Sequence, residues 1–130
     1  MLTEINNLFQ FNKKILKLIS YQEELIASNI VNADTPNYFS KKINFATEVK
    51  KILNKDNISL SKTSRNHIPL VSNNTKYHVY DNVNLEKSAI KNSVNMNFER
   101  INFLNNSLKY QAEITFLNHQ IKDILVILQS

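Results

Sequence analysis

A chain of 130 residues with 42% hydrophobic and 21% charged positions fits one folded domain. It contains no cysteine, which removes disulfides and thiolate metal sites. Its net charge of +5 is scattered over Lys13-Lys14, Lys41-Lys42, Lys50-Lys51 and single residues, with no tract dense enough for a nucleic-acid footprint.

The first predicted element is an amphipathic helix from about Thr3 to Asn32. Leu8, Phe11, Ile15, Leu18, Gln22, Leu25, Asn29 and Asn32 recur at spacings of three and four, and Ile5, Ile19 and Ile26 widen the stripe. No proline or glycine interrupts it, and at 1.5 Å per residue it would run roughly 40 Å. Asparagine is over-used throughout and glycine is absent, so a single asparagine carries little weight by itself.

The helix runs into Ala27-Ser28-Asn29-Ile30-Val31-Asn32-Ala33-Asp34-Thr35-Pro36-Asn37-Tyr38. Thr35 precedes a proline and is pushed toward extended geometry, which ends the helix near Ala33. Pro36 suits the second position of a β-turn, and Asn37 then occupies the position that needs positive φ, which asparagine tolerates best after glycine. Asn29 and Asn32 lie on the apolar seam, where an amide is costly unless hydrogen-bonded. They either cap the helix end or fix the register between packed helices, as polar seam residues do in coiled coils.

Next comes a small mixed region. Phe45, Val49, Ile52 and Leu53 predict a short helix capped by Asn44. Ile58 to Leu60 and Tyr77 to Tyr80 have β-prone alternation, with Pro69 and Ser72-Asn73-Asn74 as turn signals, and predict a hairpin or irregular structure.

The last element is predicted from Asn84, as N-cap, to Gln129, with Glu86 in the first turn. Ile90, Val94, Ile101, Leu104 and Leu108 make one stripe; Tyr110, Ile114, Leu117, Ile121, Ile124 and Leu128 continue it, displaced around the helix. The expected fold is therefore mainly α. Long N- and C-terminal helices pair as a coiled-coil-like hairpin around a small irregular or β-containing middle, divided as 1–33, 34–82 and 83–130 within one structural unit. The expected helix interface comprises Leu8, Ile15, Leu18 and Leu25 on the first helix. On the last it comprises Ile101, Leu108, Tyr110, Gln111, Leu117, Ile121 and Ile124. A helix of this kind is marginal alone, and the leftover apolar surface implies neighbouring subunits.

Residues 27–38 resemble the signature of the axial proteins of the bacterial flagellum (rod, hook and hook-associated proteins), roughly A-N-N-I-A-N-A-N-T-P-G-Y. Ala27, Asn29, Asn32, Ala33, Thr35, Pro36 and Tyr38 match in order, and Asn37 stands where the family usually has glycine. Further matches narrow the resemblance to the proximal rod branch and extend it over nearly the whole chain. Ile43-Asn44-Phe45-Ala46-Thr47-Glu48-Val49-Lys50-Lys51 is similar to D-F-A-x-E-L-K-K, and Leu60 to Pro69, with Thr63, His67 and Ile68, to L-x-x-T-x-x-x-H-I-P. Val83-Asn84-Leu85-Glu86 is similar to N-x-V-D-L-E, and Asn106-Ser107-Leu108-Lys109-Tyr110-Gln111 to N-x-L-x-Y-Q. The loop between Val71 and Tyr80 is shorter than the Gly-rich one common in that branch.

The resemblance implies a subunit exported unfolded by the flagellar type III system without a cleaved signal. It would assemble in the periplasmic rod of the basal body, with paired terminal helices forming the inner layer of a tube. The implied partners are the rod proteins FlgC, FlgF and FlgG, the adaptor FliE, the MS-ring protein FliF and further copies of the chain, with no nucleic acid and no small-molecule substrate. Taken without the resemblance, the chain has no apolar run near the roughly 20 residues that cross a bilayer. Its start, Met1-Leu2-Thr3-Glu4-Ile5, has no signal-peptide pattern, and composition reads as cytoplasmic.

No catalytic, cofactor or metal site is expected. The chain has no Gly-rich phosphate loop, nucleophile elbow or H-E-x-x-H, and His67, His78 and His119 fall in three different predicted elements. A general coiled-coil adaptor would explain the helices but would leave residues 29–38 and the His67-Ile68-Pro69 segment as coincidences.

Overall fold

The computed structural model describes residues 2–58, 77–82 and 92–129. In chain order it comprises helix α1 (Leu2–Val31), strand β1 (Lys41–Ile43), helix α2 (Phe45–Ile58), strand β2 (Val79–Asp81) and helix α3 (Met96–Gln129). The paired-helix, mainly α architecture matches the expectation, with a small strand-containing middle.

Helix α1 forms as its uninterrupted periodicity dictates and stops at Val31. A turn follows, closed by Thr35 N–H donating to the Asn32 carbonyl at 3.0 Å. Asn37 then takes φ of 57°, the left-handed value that the Pro36-Asn37 turn demands. Asn37→Gly is accordingly expected to change stability by no more than about 1 kcal/mol, since glycine relieves the φ strain but frees the unfolded chain. Urea denaturation checks this; a larger loss would mean that the Asn37 side chain makes a contact of its own.

Helix α2 begins where Asn44 caps it, with Thr47 N–H donating to Asn44 Oδ1 at 3.2 Å. It runs through Ile58, so the backbone there is helical where the alternation predicted a β-prone run. Tyr77 to Tyr80 lead into strand β2, which among the described residues pairs antiparallel with β1. The register is Lys41↔Asp81, Lys42↔Tyr80 and Ile43↔Val79. Leu60 to Pro69, with His67, and the turn residues 72–74 lie outside the described residues.

The last helix starts later than its pattern predicted. Asn84, Glu86 and Ile90 lie outside the described residues, but residues 92–95, including Val94 of the predicted stripe, are not helical. The cause is local: Val94 N–H donates to Asn92 Oδ1 at 2.8 Å, and Phe98 N–H donates to Asn95 Oδ1 at 3.2 Å. Asparagine side chains thus satisfy the backbone ahead of the helix, and Asn95 becomes the cap.

The two long helices lie antiparallel. Asn29, near the end of α1, meets Glu99 at the start of α3, and Asn12 Nδ2 donates 2.9 Å to Gln120 Oε1 deep into α3. The apolar core, however, is not between them. It is formed by Ile15, Leu18 and Ile19 of α1 with Ile43 of β1 and Ile52 of α2, flanked by Phe11, Leu25, Phe45, Val49 and Tyr77. The small middle region is what covers the apolar stripe of α1. Lys109 of α3 spans the gap to α2, its Nζ 4.8 Å above the Phe45 ring.

Candidate functional site

The junction after α1 is built from amides. Asn29 is completely buried. Its Oδ1 accepts from Lys41 N–H at 2.8 Å and from the Tyr38 hydroxyl at 3.1 Å, while its Nδ2 donates to the Lys41 carbonyl at 2.9 Å and to Glu99 Oε2 at 3.3 Å. A side-chain amide carries the same donor and acceptor as a peptide group. Asn29 therefore pairs with the Lys41 backbone as a neighbouring strand would, and docks β1 onto the end of α1. One residue joins α1, the turn, β1 and α3.

Asn32 does a different job. Its Nδ2 donates to the Ser28 carbonyl at 2.8 Å, and its Oδ1 accepts from Thr35 Oγ1 at 3.1 Å, so it closes the helix end and the turn. Asn92 ties this turn to the approach of α3, with Nδ2 donating to the carbonyls of Asn32 at 2.9 Å and Thr35 at 2.7 Å. Ser93 N–H donates to the Tyr38 carbonyl at 3.1 Å, and Ser40 N–H donates to Ser93 Oγ at 2.8 Å. Ala33 is half-buried in the turn, Pro36 and Asn37 are exposed, and Ala27 is exposed on α1.

The seam between α1 and α3 is polar. Asn106 is buried and donates through Nδ2 to the Ile19 carbonyl at 3.0 Å and to Glu23 Oε2; Ser107 Oγ donates to Glu23 Oε1 at 2.9 Å. With Asn29–Glu99 at one end and Asn12–Gln120 at the other, hydrogen bonds recur along the pair. Each is worth only about 0.5–1.5 kcal/mol net, but a slip in register would strand buried polar groups at greater cost. Glu99, Asn106, Glu113 and Gln120 are seven residues apart on α3, a heptad spacing visible in the sequence that apolar periodicity alone does not reveal. Burial pushes the Glu113 carboxyl above the usual carboxylate range.

The expected interface residues divide into two sets. Ile15 and Leu18 are buried, Leu25 half-buried. Leu117 and Ile124 are half-buried on the side of α3 that carries Glu99 and Asn106. Leu8, Ile101, Leu108, Tyr110, Gln111 and Ile121 are exposed. Ile101 and Leu108, with Leu104 between them, are 56%, 64% and 63% exposed. At 100° per residue they lie on the side of α3 opposite the seam. Toward the C-terminus Leu125, Val126, Ile127 and Leu128 are exposed as well, so apolar side chains surround α3 where α1 covers one side only. His78 precedes β2 and His119 lies on α3, and no group of three or more potential metal ligands occurs among the described residues.

An antiparallel helical pair with a polar, register-specific seam and an exposed apolar exterior on α3 fits a structural protein that packs against other subunits. No family model matches the chain. It is 40% identical over 134 residues to the flagellar basal body rod protein FlgB of Buchnera aphidicola subsp. Acyrthosiphon pisum, with 99% of each chain covered. It is 37% identical over 135 residues to FlgB of Proteus mirabilis, covering 99% of this chain and 98% of that protein. Against FlgB of Escherichia coli K12 it is 34% identical over 140 residues, covering 100% and 99%. The chain belongs to the flagellar basal body rod protein FlgB family.

Proposed function

We propose that the chain is a structural subunit of the proximal rod of the flagellar basal body, acting by helix packing in a drive shaft that also conducts exported proteins. The observation that supports this reading most is the exterior of α3, where Ile121, Leu125 and Leu128 are 41%, 49% and 75% exposed in the isolated chain. Covering what these side chains leave exposed contributes roughly 0.6–2 kcal/mol each, a gain that neighbouring subunits would supply. The partners of this reading are the rod proteins FlgC, FlgF and FlgG, the adaptor FliE, the MS-ring protein FliF and further copies. The location is the periplasmic rod, reached by type III export without a cleaved signal. In this role the Ala27–Tyr38 motif is the joint at which the inner helix ends and the chain turns outward.

The test is recovery of the tagged chain with detergent-resistant basal bodies. The unaltered chain is expected there, and a double replacement Ile121→Asp with Leu128→Asp is expected to lower recovery by at least about tenfold while leaving the helical circular dichroism spectrum intact. Absence of the unaltered chain from basal bodies, or full recovery of the double variant, would sink the reading.

A further inference from the structure

We infer that copies of this chain pack side by side, with the outer face of α3 in one copy seated in the α1–α3 groove of the next. The inference rests on the rod-subunit reading and names the surfaces that the reading leaves open. The groove has a volume of about 500 Å³ and a mostly apolar lining. Ile19 and Ala27 contribute on the α1 side and Tyr110 and Gln111 on the α3 side, with Glu23 and Glu24 at its edge. Its carboxylates differ in state: Glu23 is engaged by Asn106 and Ser107 across the seam, whereas Glu24 is exposed with no ion-pair partner among the described residues.

The same chain carries what this groove lacks. Ile101, Leu104 and Leu108 form an apolar ridge at i, i+3 and i+7 on the far side of α3, and Arg100 stands beside it, exposed and likewise without an ion-pair partner among the described residues. An apolar ridge flanked by a cation fits an apolar groove flanked by an anion. That complementarity selects a second copy as the occupant.

Ridge and groove also lie at one height. Glu99 is level with Asn29 and Asn106 with Glu23, so residues 101–108 stand beside the segment of α1 that walls the groove. Neighbouring copies therefore line up laterally, not end to end. Because ridge and groove are different surfaces, the contact is heterologous. Each added copy presents a free ridge or a free groove to the next, and growth follows a ring or shallow helix.

Two arms test the pairing in the host that assembles the rod. In the first, Glu24→Arg or Arg100→Glu alone is expected to lower recovery with basal bodies roughly threefold, the scale of a rim charge pair, and both together in one chain to restore it. In the second, differently tagged copies bearing Ser20→Cys or Leu104→Cys are co-expressed and oxidised. The chain has no native cysteine, so a mixed cross-link reports the proposed contact directly. Cross-linking of Leu104→Cys copies to each other at equal yield would mean a two-fold contact and overturn the inference. So would inert charge reversals and no mixed cross-link while the chain is still recovered with basal bodies, a result that leaves the rod reading standing and points to other rod subunits as the occupants. Loss of the unaltered chain from basal bodies would instead remove the rod reading itself.

Discussion

Leu18→Asp is expected to abolish cooperative folding of the chain. Leu18 is fully buried at the centre of the cluster formed with Ile15, Ile19, Ile43 and Ile52. The substitution removes an apolar side chain with no exposure and sets a carboxylate among aliphatic groups. The combined cost is at least about 4 kcal/mol, comparable with the whole stability of a small domain. Leu18→Ala, which only opens a cavity, should cost about 2–5 kcal/mol and leave a measurable transition. Leu108→Asp provides the contrast, because Leu108 is mostly exposed and its replacement should move the melt by no more than about 0.5 kcal/mol. Thermal unfolding followed by circular dichroism decides the matter. Equal losses at Leu18 and Leu108 would show that the outer face of α3 is packed in the isolated chain, against its exposure here.

Asn29→Asp should be nearly as damaging, although the two side chains have almost the same shape. Aspartate keeps the acceptors for Lys41 N–H and Tyr38 but loses the donor to the Lys41 carbonyl. It also places a second carboxylate where Nδ2 now donates to Glu99. The unmet carbonyl and the like-charge contact together cost about 3 kcal/mol or more at neutral pH. The repulsion raises the folded-state pKa of the new carboxyl above its unfolded value. The destabilisation is therefore full above that raised pKa and shrinks as pH falls through it, since a protonated carboxyl donates again. Urea denaturation of the variant at neutral and mildly acidic pH measures this. A deficit that stayed constant with pH would exclude the Asn29–Glu99 contact as its source.

Most of the chain's architecture was legible in its periodicity. The stripe of α1, the Asn44 cap of α2 and the positive φ of Asn37 each follow from a short-range rule, because the groups involved are neighbours along the chain. What covers the stripe was not legible. Strand β1 is three residues long and gains its place from Asn29 and from β2, both distant in sequence, so no local pattern announces it. The start of α3 was misread because Val94 continues an apolar rhythm that the side chains of Asn92 and Asn95 override. The junction amides were recognisable as unusual, yet their roles diverge: Asn32 bonds within its own helix end and turn, and Asn29 across three elements. Which of the two an asparagine does depends on the partner that tertiary folding brings to it. The heptad of Glu99, Asn106, Glu113 and Gln120 was open to view, but polar residues at core spacing acquire meaning only once a partner helix is in place.

The polar seam has a thermal consequence. The heat capacity of unfolding scales with the apolar surface exposed, and exposed polar groups subtract from it. Among the described residues only Ile15, Leu18, Ile19, Ile26, Ile43 and Ile52 are buried apolar side chains, and the α1–α3 contact is largely hydrogen-bonded. This burial pattern is expected to lower the heat capacity of unfolding and so to flatten the stability curve of the isolated chain. Association through the apolar exterior of α3 would be the more temperature-sensitive step, because a driving force from burying Ile101, Leu104 and Leu108 fades in the cold. Temperature is therefore expected to act more on how these subunits hold one another than on how each one folds.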